Sequence, residues 1–234
     1  MSSINFIGGE KGGVGKSVVA RVLAQYFIDK GRVFTGFDTD RSHNSFTRFY
    51  ADYASPVIVD TYEGLDLIVG ALEDAANEGE HASVIVDLAA QTAAPLTRWI
   101  TDSDLFNVLG EMGVTVNFWH VADAGKDSVD LLGRLVNTFK AGPNYFVVKN
   151  QGRGSDFSQL ENSQALEQAA ALGARLITLT QLHEASMRKI DRQNASFWAA
   201  LNTSSGPDAL GLLERQRVKT WLKKTYETFD TLPL

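Results

Sequence analysis

Short apolar runs alternate with helix-patterned stretches along the chain. The apolar runs predict strands at residues 4–7, 32–37, 56–59, 83–86, 115–121, 144–148 and 175–179. Apolar residues at helical spacing predict helices at residues 17–30, 127–139, 160–171 and 182–201, and one more near the C-terminus. Strands separated by helices favour parallel pairing. The pattern therefore predicts an α/β fold with a doubly wound, mostly parallel sheet and helices on both faces.

No segment has the composition of a linker between domains. The nearest, residues 202–208, predicts a loop before the last helix. We therefore expect a single domain over residues 1–234, with no DNA-binding domain ahead of the first strand. No apolar run approaches the about 18 residues that a membrane span needs, and the N-terminus lacks the pattern of a signal peptide. A cytoplasmic protein is the expectation.

Composition excludes several kinds of chemistry. The chain has no cysteine, so disulfides, cysteine-bound zinc, iron–sulfur clusters and a thiol nucleophile are all ruled out. The 28 acidic and 22 basic side chains give a formal charge of −6. This balance argues against nucleic-acid binding by overall charge, although a local basic patch is compatible with it.

The most informative segment is GEKGGVGKS, residues 9–17, which follows the first predicted strand and opens the first predicted helix. Gly12, Gly13 and Gly15 allow the backbone to turn its N–H groups toward phosphate oxygens, as in a phosphate-binding loop. The general pattern G-x-x-x-x-G-K-[ST] has glycine where this chain has Glu10, so only the variant K-G-G-x-G-K-[ST] is met. A glycine-rich turn without a ligand is the alternative.

Two side chains of this loop have predicted roles on the phosphates and their metal ion. Lys16 would reach the β- and γ-phosphates, and the Ser17 hydroxyl would ligate Mg²⁺. The nucleotide-binding residues predicted here are Gly12, Gly13, Val14, Gly15, Lys16, Ser17 and Val18.

With this loop the chain resembles the deviant-Walker-A ATPases, the ParA/MinD group of P-loop NTPases. The resemblance implies a P-loop ATPase domain that binds ATP and Mg²⁺. It also implies that Lys11 reaches across a nucleotide-sandwich homodimer to the partner's phosphates, so that ATP binding and dimerisation are one event. The residues themselves show only a second cation five positions before Lys16.

The second predicted strand ends in a D-x-D pattern, Asp38 and Asp40. The resemblance implies a switch I region, with Asp38 near the magnesium shell and Asp40 positioning the attacking water. Asn44 also matches, whereas Arg41-Ser42 replaces the Pro-Gln of many family members. A solvated acidic turn is the alternative for a D-x-D pattern on its own.

Asp87 ends the apolar run 83–86 and resembles the Walker B aspartate, which holds a magnesium-bound water. Asp60 has a similar context, but Asp87 fits the family order better. Asn150 ends another apolar run, and the resemblance implies contact with the adenine edge. A turn residue is the alternative there. Gln151 and Gly152 replace the aspartate expected in guanine-specific relatives, which favours ATP over GTP.

Residues 215–224 form a basic, amphipathic stretch. MinD-like proteins use such a helix on membranes, but Tyr226 and Phe229 continue its apolar face. A helix docked on the domain is therefore favoured over a membrane anchor. Non-specific contact of these basic residues with DNA is left open.

Two functions fit the sequence. The first is a slow ATPase, stimulated by an activating protein partner, that switches between monomer and dimer and positions a cargo in plasmid or chromosome partition or in conjugative transfer. The second is an ATP-dependent metabolic enzyme on the same fold, as in dethiobiotin synthetase. Lys11 favours the first.

Overall fold

The computed structural model describes residues 2–77, 79 and 81–234. Its strands are β1 (Ser2–Gly8), β2 (Phe34–Asp38), β3 (Ala54–Pro56), β4 (Ser83–Asp87), β5 (Val114–Ala122), β6 (Asn144–Asn150) and β7 (Arg175–Leu179). They form one seven-stranded sheet in the order β3-β2-β4-β1-β5-β6-β7, and every neighbouring pair is parallel. The predicted α/β class with a parallel sheet is confirmed.

Helices cover both faces of this sheet. They are α1 (Lys16–Asp29), α2 (Tyr62–Asn77), α3 (Ala93–Asp102), α4 (Leu105–Glu111), α5 (Lys126–Phe139), α6 (Ser158–Glu161), α7 (Gln164–Ala171), α8 (Glu184–Arg192), α9 (Phe197–Asn202) and α10 (Leu212–Phe229). Successive strand residues alternate between two apolar cores: Phe146 and Val148 pack with α1 and α8–α10, whereas Tyr145 and Val147 pack with α2–α7. Both faces of each central strand are buried, which explains the continuous apolar runs in the sequence.

The strand predicted at residues 56–59 is wrong in position. The strand ends at Pro56, and β3 pairs only with the end of β2, at the edge of the sheet. Val57 and Val59 are buried in the core but lie outside the strand. Their apolar character therefore reflects packing rather than strand pairing.

The long helix predicted at residues 182–201 is also wrong, because it is two helices. Asn194 adopts a left-handed backbone with φ of 48°, and the chain restarts at Ser196, whose hydroxyl accepts a hydrogen bond from Ala199 N–H. The helix predicted at residues 160–171 is similarly divided at Ser163, which caps α7. Helices α2, α3 and α4 were not predicted.

Helix α10 packs against the sheet through Val218, Trp221, Leu222 and Phe229. The Trp221 indole N–H donates to the Thr180 carbonyl at 2.6 Å. This is the docked arrangement that its apolar face favours. None of the helices in the described ranges is both long and apolar enough to cross a membrane.

Candidate nucleotide-binding site

The carboxyl ends of β1, β2 and β4 meet at one edge of the sheet. The register pairs Asp38 at the end of β2 with Asp87 at the end of β4, and Asp87 with Ile7 near the end of β1. The glycine-rich loop runs from β1 directly into α1 beside these carboxylates. The predicted strand–loop–helix context is confirmed, and this edge is where ligands bind in open parallel sheets.

Backbone geometry makes Gly15 necessary in this loop. It lies in the left-handed region with φ of 98°, and a Cβ there would overlap the side-chain amide of Asn150. Its carbonyl accepts hydrogen bonds from the N–H groups of Val18 and Val19, which starts α1. The N-terminus of α1 therefore lies directly against the loop, where its exposed N–H groups favour an anion.

Lys16 lies across the loop. Its Nζ donates to the Lys11 carbonyl at 2.9 Å, and its side chain is largely buried. Burial lowers the pKa of Lys16, whereas the charges of Asp87, Glu10 and Asp40 oppose this shift. In the described residues this buried cation has a carbonyl as its hydrogen-bond partner and no ion pair, so it is well placed to receive an anion such as a phosphate group.

Lys11 is held by its own chain. Its Nζ lies 2.9 Å from a carboxylate oxygen of Asp123, which precedes α5. It lies 3.5 Å from a carboxylate oxygen of Asp127, which is within α5. The hydrogen bond with Asp123 raises the pKa of Lys11 although burial opposes it. Asp123 also accepts hydrogen bonds from Gly125 N–H and the Ser128 hydroxyl. The predicted contact with a partner subunit would require Lys11 to leave this pair.

Asp87 is the buried carboxylate of the site. It is 2% exposed, and neither of its oxygens has a hydrogen-bond partner among residues 2–77, 79 and 81–234. Burial raises the pKa of Asp87 to about 7, and the nearby Ser17 hydroxyl and Lys16 ammonium lower it. Unpartnered buried oxygens beside Ser17 fit a cation or its bound water.

A magnesium ion fits this donor set only together with phosphate oxygens. Within the described part of the chain, no group of three or more His, Asp or Glu side chains is arranged to hold a metal by itself. Ser17 and Asp87 supply one hydroxyl and one carboxylate, and Mg²⁺ in phosphate sites normally keeps waters and substrate oxygens as its other ligands.

We expect Asp87→Asn to stabilise the nucleotide-free protein increasingly as pH rises. Because the folded-state pKa of Asp87 is about 7 against an ordinary 3.8, the folded protein holds this proton more tightly than the unfolded chain. Wild-type stability should therefore fall between about pH 4 and pH 7 relative to the variant, by at most about 4 kcal/mol. Urea unfolding of both proteins at several pH values would measure this. A difference that does not change with pH would contradict the assignment.

The Asp38 carboxylate is hydrogen-bonded to the loop that follows β2. Its carboxylate accepts hydrogen bonds from the backbone N–H groups of Asp40, Phe46 and Thr47, at 2.8–3.1 Å. It therefore organises residues 40–47, and its predicted place near magnesium remains a prediction. Thr39, which the sequence reasoning missed, links the strands: its N–H donates to the Asp87 carbonyl, and its hydroxyl accepts from Ala89 N–H at 2.7 Å.

Asp40 faces the same cavity as Lys16 and Asp87, an open cleft of about 810 Å³. Its carboxylate accepts hydrogen bonds from Ser42 N–H and His43 N–H and lies 3.2 Å from His43 Nδ1. Burial acts to raise the pKa of Asp40, but these hydrogen bonds outweigh it and hold the pKa below its ordinary value. Asp40 is thus a charged acceptor at the cleft, as a water-positioning role requires.

Asn150 braces the phosphate loop. Its amide nitrogen donates to the Val14 carbonyl at 2.8 Å, and its amide oxygen accepts from Gly152 N–H at 3.1 Å. It also lines a second cavity of about 290 Å³, which includes Leu179 and Leu182. Contact between Asn150 and adenine stays a prediction.

Glu10 has a structural role that the motif does not reveal. Its carboxylate accepts a hydrogen bond from Ala93 N–H at 2.7 Å, at the first residue of α3. The phosphate loop is thereby tied to the helix that follows Asp87. The one available signal was that Glu10 stands where the general phosphate-loop pattern has glycine.

The parallel sheet, the glycine-rich loop and the carboxylates at the strand ends define a P-loop nucleotide-binding protein. Residues 6–195 match the CobQ/CobB/MinD/ParA nucleotide binding domain. The chain belongs to this family, and the resemblance to the ParA/MinD group is confirmed.

Relatives cover nearly the whole chain. Protein TraL of Escherichia coli is 24% identical over an alignment of 247 positions, which covers 98% of this chain and 98% of that protein. MinD in the MinC:MinD cell division complex of Aquifex aeolicus has a TM-score of 0.58 at 12% identity and covers 100% of this chain and 98% of its own. A putative plasmid partition protein of Borrelia burgdorferi bound to AMPPNP has a TM-score of 0.51 at 16% identity, over 96% of this chain and 99% of its own. These structures share the fold.

Proposed function

We propose that this protein is an ATP-hydrolysing switch that forms a homodimer when it binds ATP. The observation that carries the proposal is a phosphate loop with two lysines, Lys11 and Lys16, beside a buried carboxylate with free oxygens, Asp87. Lys16 completes a phosphate site within one chain. In the described residues the Lys11 ammonium is held by ion pairs with Asp123, which is partly exposed, and Asp127, which is exposed; the phosphates of a nucleotide bound to a second subunit would replace them.

The chemistry proposed is in-line attack of water on the γ-phosphate. Lys16 and Lys11 would neutralise the charge that spreads over the phosphate oxygens, and Asp40 would orient the water. Ser17 would hold Mg²⁺ directly, and Asp87 would do so through water. When bound, the ion neutralises phosphate charge.

A chain of contacts runs from the phosphate loop to the segment after β4, and from there to the segment after β2. Asp38 holds the residue 40–47 loop, Thr39 binds Ala89, and Glu10 binds the start of α3. Loss of the γ-phosphate would therefore change the positions of both segments. Nucleotide switches alter their binding surfaces in this way.

The proposed setting is conjugative transfer or plasmid partition. Its support is the full-length similarity to TraL and the fold shared with a putative plasmid partition protein and with MinD, which was solved with MinC. By analogy we propose an activating protein partner and a cytoplasmic location. The basic residues of α10 make non-specific DNA the favoured surface to bind, ahead of a membrane, because its apolar face is already buried.

We expect Lys11→Ala to prevent the ATP-dependent dimer while leaving ATP binding by the monomer largely intact. The reason is that Lys11 would contact phosphate only across the interface, whereas Lys16 acts within the chain. Sedimentation velocity with ATP, ADP and no nucleotide, in a variant that hydrolyses slowly, measures this directly.

A matched control is Lys30→Ala, which removes a lysine paired with Asp230 at 2.7 Å near the C-terminal end of α1. It should dimerise as the wild type does. If Lys11→Ala forms the same dimer with ATP, the role across the interface is refuted. If the wild type stays monomeric with ATP, and hydrolyses it only when a small substrate is added, the metabolic alternative is supported instead.

A further inference from the structure

Arg21 is a buried cation one helical turn after Ser17 on α1. Its side chain is 4% exposed, and its guanidinium lies over the Phe49 ring at 3.6 Å. Nη1 donates to an Asp191 carboxylate oxygen at 2.9 Å, while Nε and Nη2 have no partner among the residues that the structure describes. Among the described residues Asp191 is the carboxylate that pairs with this charge, and the buried guanidinium in turn fixes the position of Asp191.

Asp191 lies where two cavities meet. The larger cavity, about 810 Å³, contains the phosphate loop, and the smaller one, about 290 Å³, lies beyond Asn150. Val18, Arg153 and Asp191 line both. Of these three side chains only Asp191 offers a hydrogen-bond acceptor, since valine is apolar and arginine only donates. The Asp191 side chain remains 47% exposed, so it is accessible to a ligand.

A nucleotide whose phosphates occupy the loop and whose base occupies the smaller cavity must place its ribose at the junction, because the ribose joins the two groups covalently. The 2′ and 3′ hydroxyls are donors, and a carboxylate accepts such hydrogen bonds strongly. The acceptor at the junction is held in place before any ligand arrives.

We propose that Asp191, positioned by Arg21, accepts hydrogen bonds from the ribose hydroxyls and makes the site selective for ribonucleotides over deoxyribonucleotides. The proposal rests on the proposed function, because it takes the phosphate loop as the nucleotide site. Arg21 is a positioning residue: its guanidinium binds Asp191 and contributes no atom to the ribose contact.

The test is isothermal titration calorimetry with ADP and with 2′,3′-dideoxyADP, both with Mg²⁺, so that hydrolysis plays no part. We expect wild-type protein to bind ADP about 10-fold more tightly than the dideoxy analogue, as one charge-assisted hydrogen bond at a half-exposed site would give. Asp191→Ala should bind the two nucleotides within about 2-fold of each other. Asp208→Ala removes an aspartate that pairs with Arg192, the residue after Asp191 on α8. This variant should keep the wild-type ratio of the two affinities.

Asp191→Ala leaves the buried Arg21 without its carboxylate, which is expected to destabilise the fold. The double variant Arg21→Met/Asp191→Ala removes both charges together and should fold, as circular dichroism would show, yet still lack the preference. Arg21→Lys keeps a cation beside Asp191, so this variant should keep part of the preference for ADP over the dideoxy analogue. A purely structural role of Arg21 would not predict that result.

The outcomes separate the two proposals. Equal affinity of wild-type protein for both nucleotides, or an unchanged ratio in the double variant, overturns the ribose assignment and leaves nucleotide binding standing. Failure of wild-type protein to bind either nucleotide overturns the proposed function itself.

Discussion

Replacing Lys16 with alanine is expected to abolish ATP binding. The Lys16 ammonium is largely buried, crosses the phosphate loop and makes its 2.9 Å hydrogen bond to a carbonyl of that loop. A bound triphosphate would exchange this neutral partner for anionic oxygens. Two such charge-assisted hydrogen bonds correspond to a loss of affinity of at least about 100-fold. Calorimetric titration of the variant with ATP and Mg²⁺ measures the loss.

Lys126→Ala is the matched control for this experiment. Lys126 also opens a helix, α5, but it is exposed and pairs with Asp130 four residues on. It should bind ATP with wild-type affinity. If Lys16→Ala keeps wild-type affinity, the phosphate loop does not bind ATP, and the proposed function is wrong.

Replacing Asp40 with alanine is expected to leave ATP bound but to slow its hydrolysis by at least about 100-fold, the usual scale for removing a group that handles the reacting water. Asp40 faces the cleft that holds Lys16 and Asp87, and hydrogen bonds from Ser42 and His43 keep its pKa low although burial opposes them. The carboxylate is therefore charged at neutral pH. Phosphate release under single-turnover conditions, measured beside ATP affinity, separates the two effects.

Asp60→Ala is the control for Asp40. Asp60 lines the same cleft, but its carboxylate is exposed and pairs with Arg41 at 3.1 Å. It should hydrolyse ATP at the wild-type rate. Normal turnover by Asp40→Ala would show that another group positions the water.

The two lysines of the loop have different surroundings, and this difference is the basis of the switch proposal. Lys16 is buried and has no carboxylate within ion-pair distance in the described residues, whereas Lys11 pairs with Asp123 and Asp127. Lys11 and Asp123 are partly exposed and Asp127 is exposed, so water screens both ion pairs. The cost of releasing Lys11 is therefore small compared with what a phosphate contact in a dimer would supply.

Local features were predictable from the sequence because neighbouring residues determine them. Gly12, Gly13 and Gly15 permit the turn, and the apolar residues after Lys16 require a helix with a buried face. Continuous apolar runs such as β4 require burial on both sides and so indicate a central strand of a parallel sheet. Element boundaries were not determined in this way: residues 57–59 satisfy an apolar pattern without pairing, and Asn194 interrupts a helix through its own backbone conformation.

The sequence by itself determined the α/β class, the phosphate loop and the carboxylates that follow β2 and β4, because each depends on residues close together in the chain. Tertiary structure alone decided which distant groups meet there. Arg21 and Asp191 are 170 positions apart, and Glu10 and Ala93 are 83 apart. Such contacts depend on how the sheet orders its strands and on how α3 and α8 pack at its edge. No local pattern in the sequence specifies that packing.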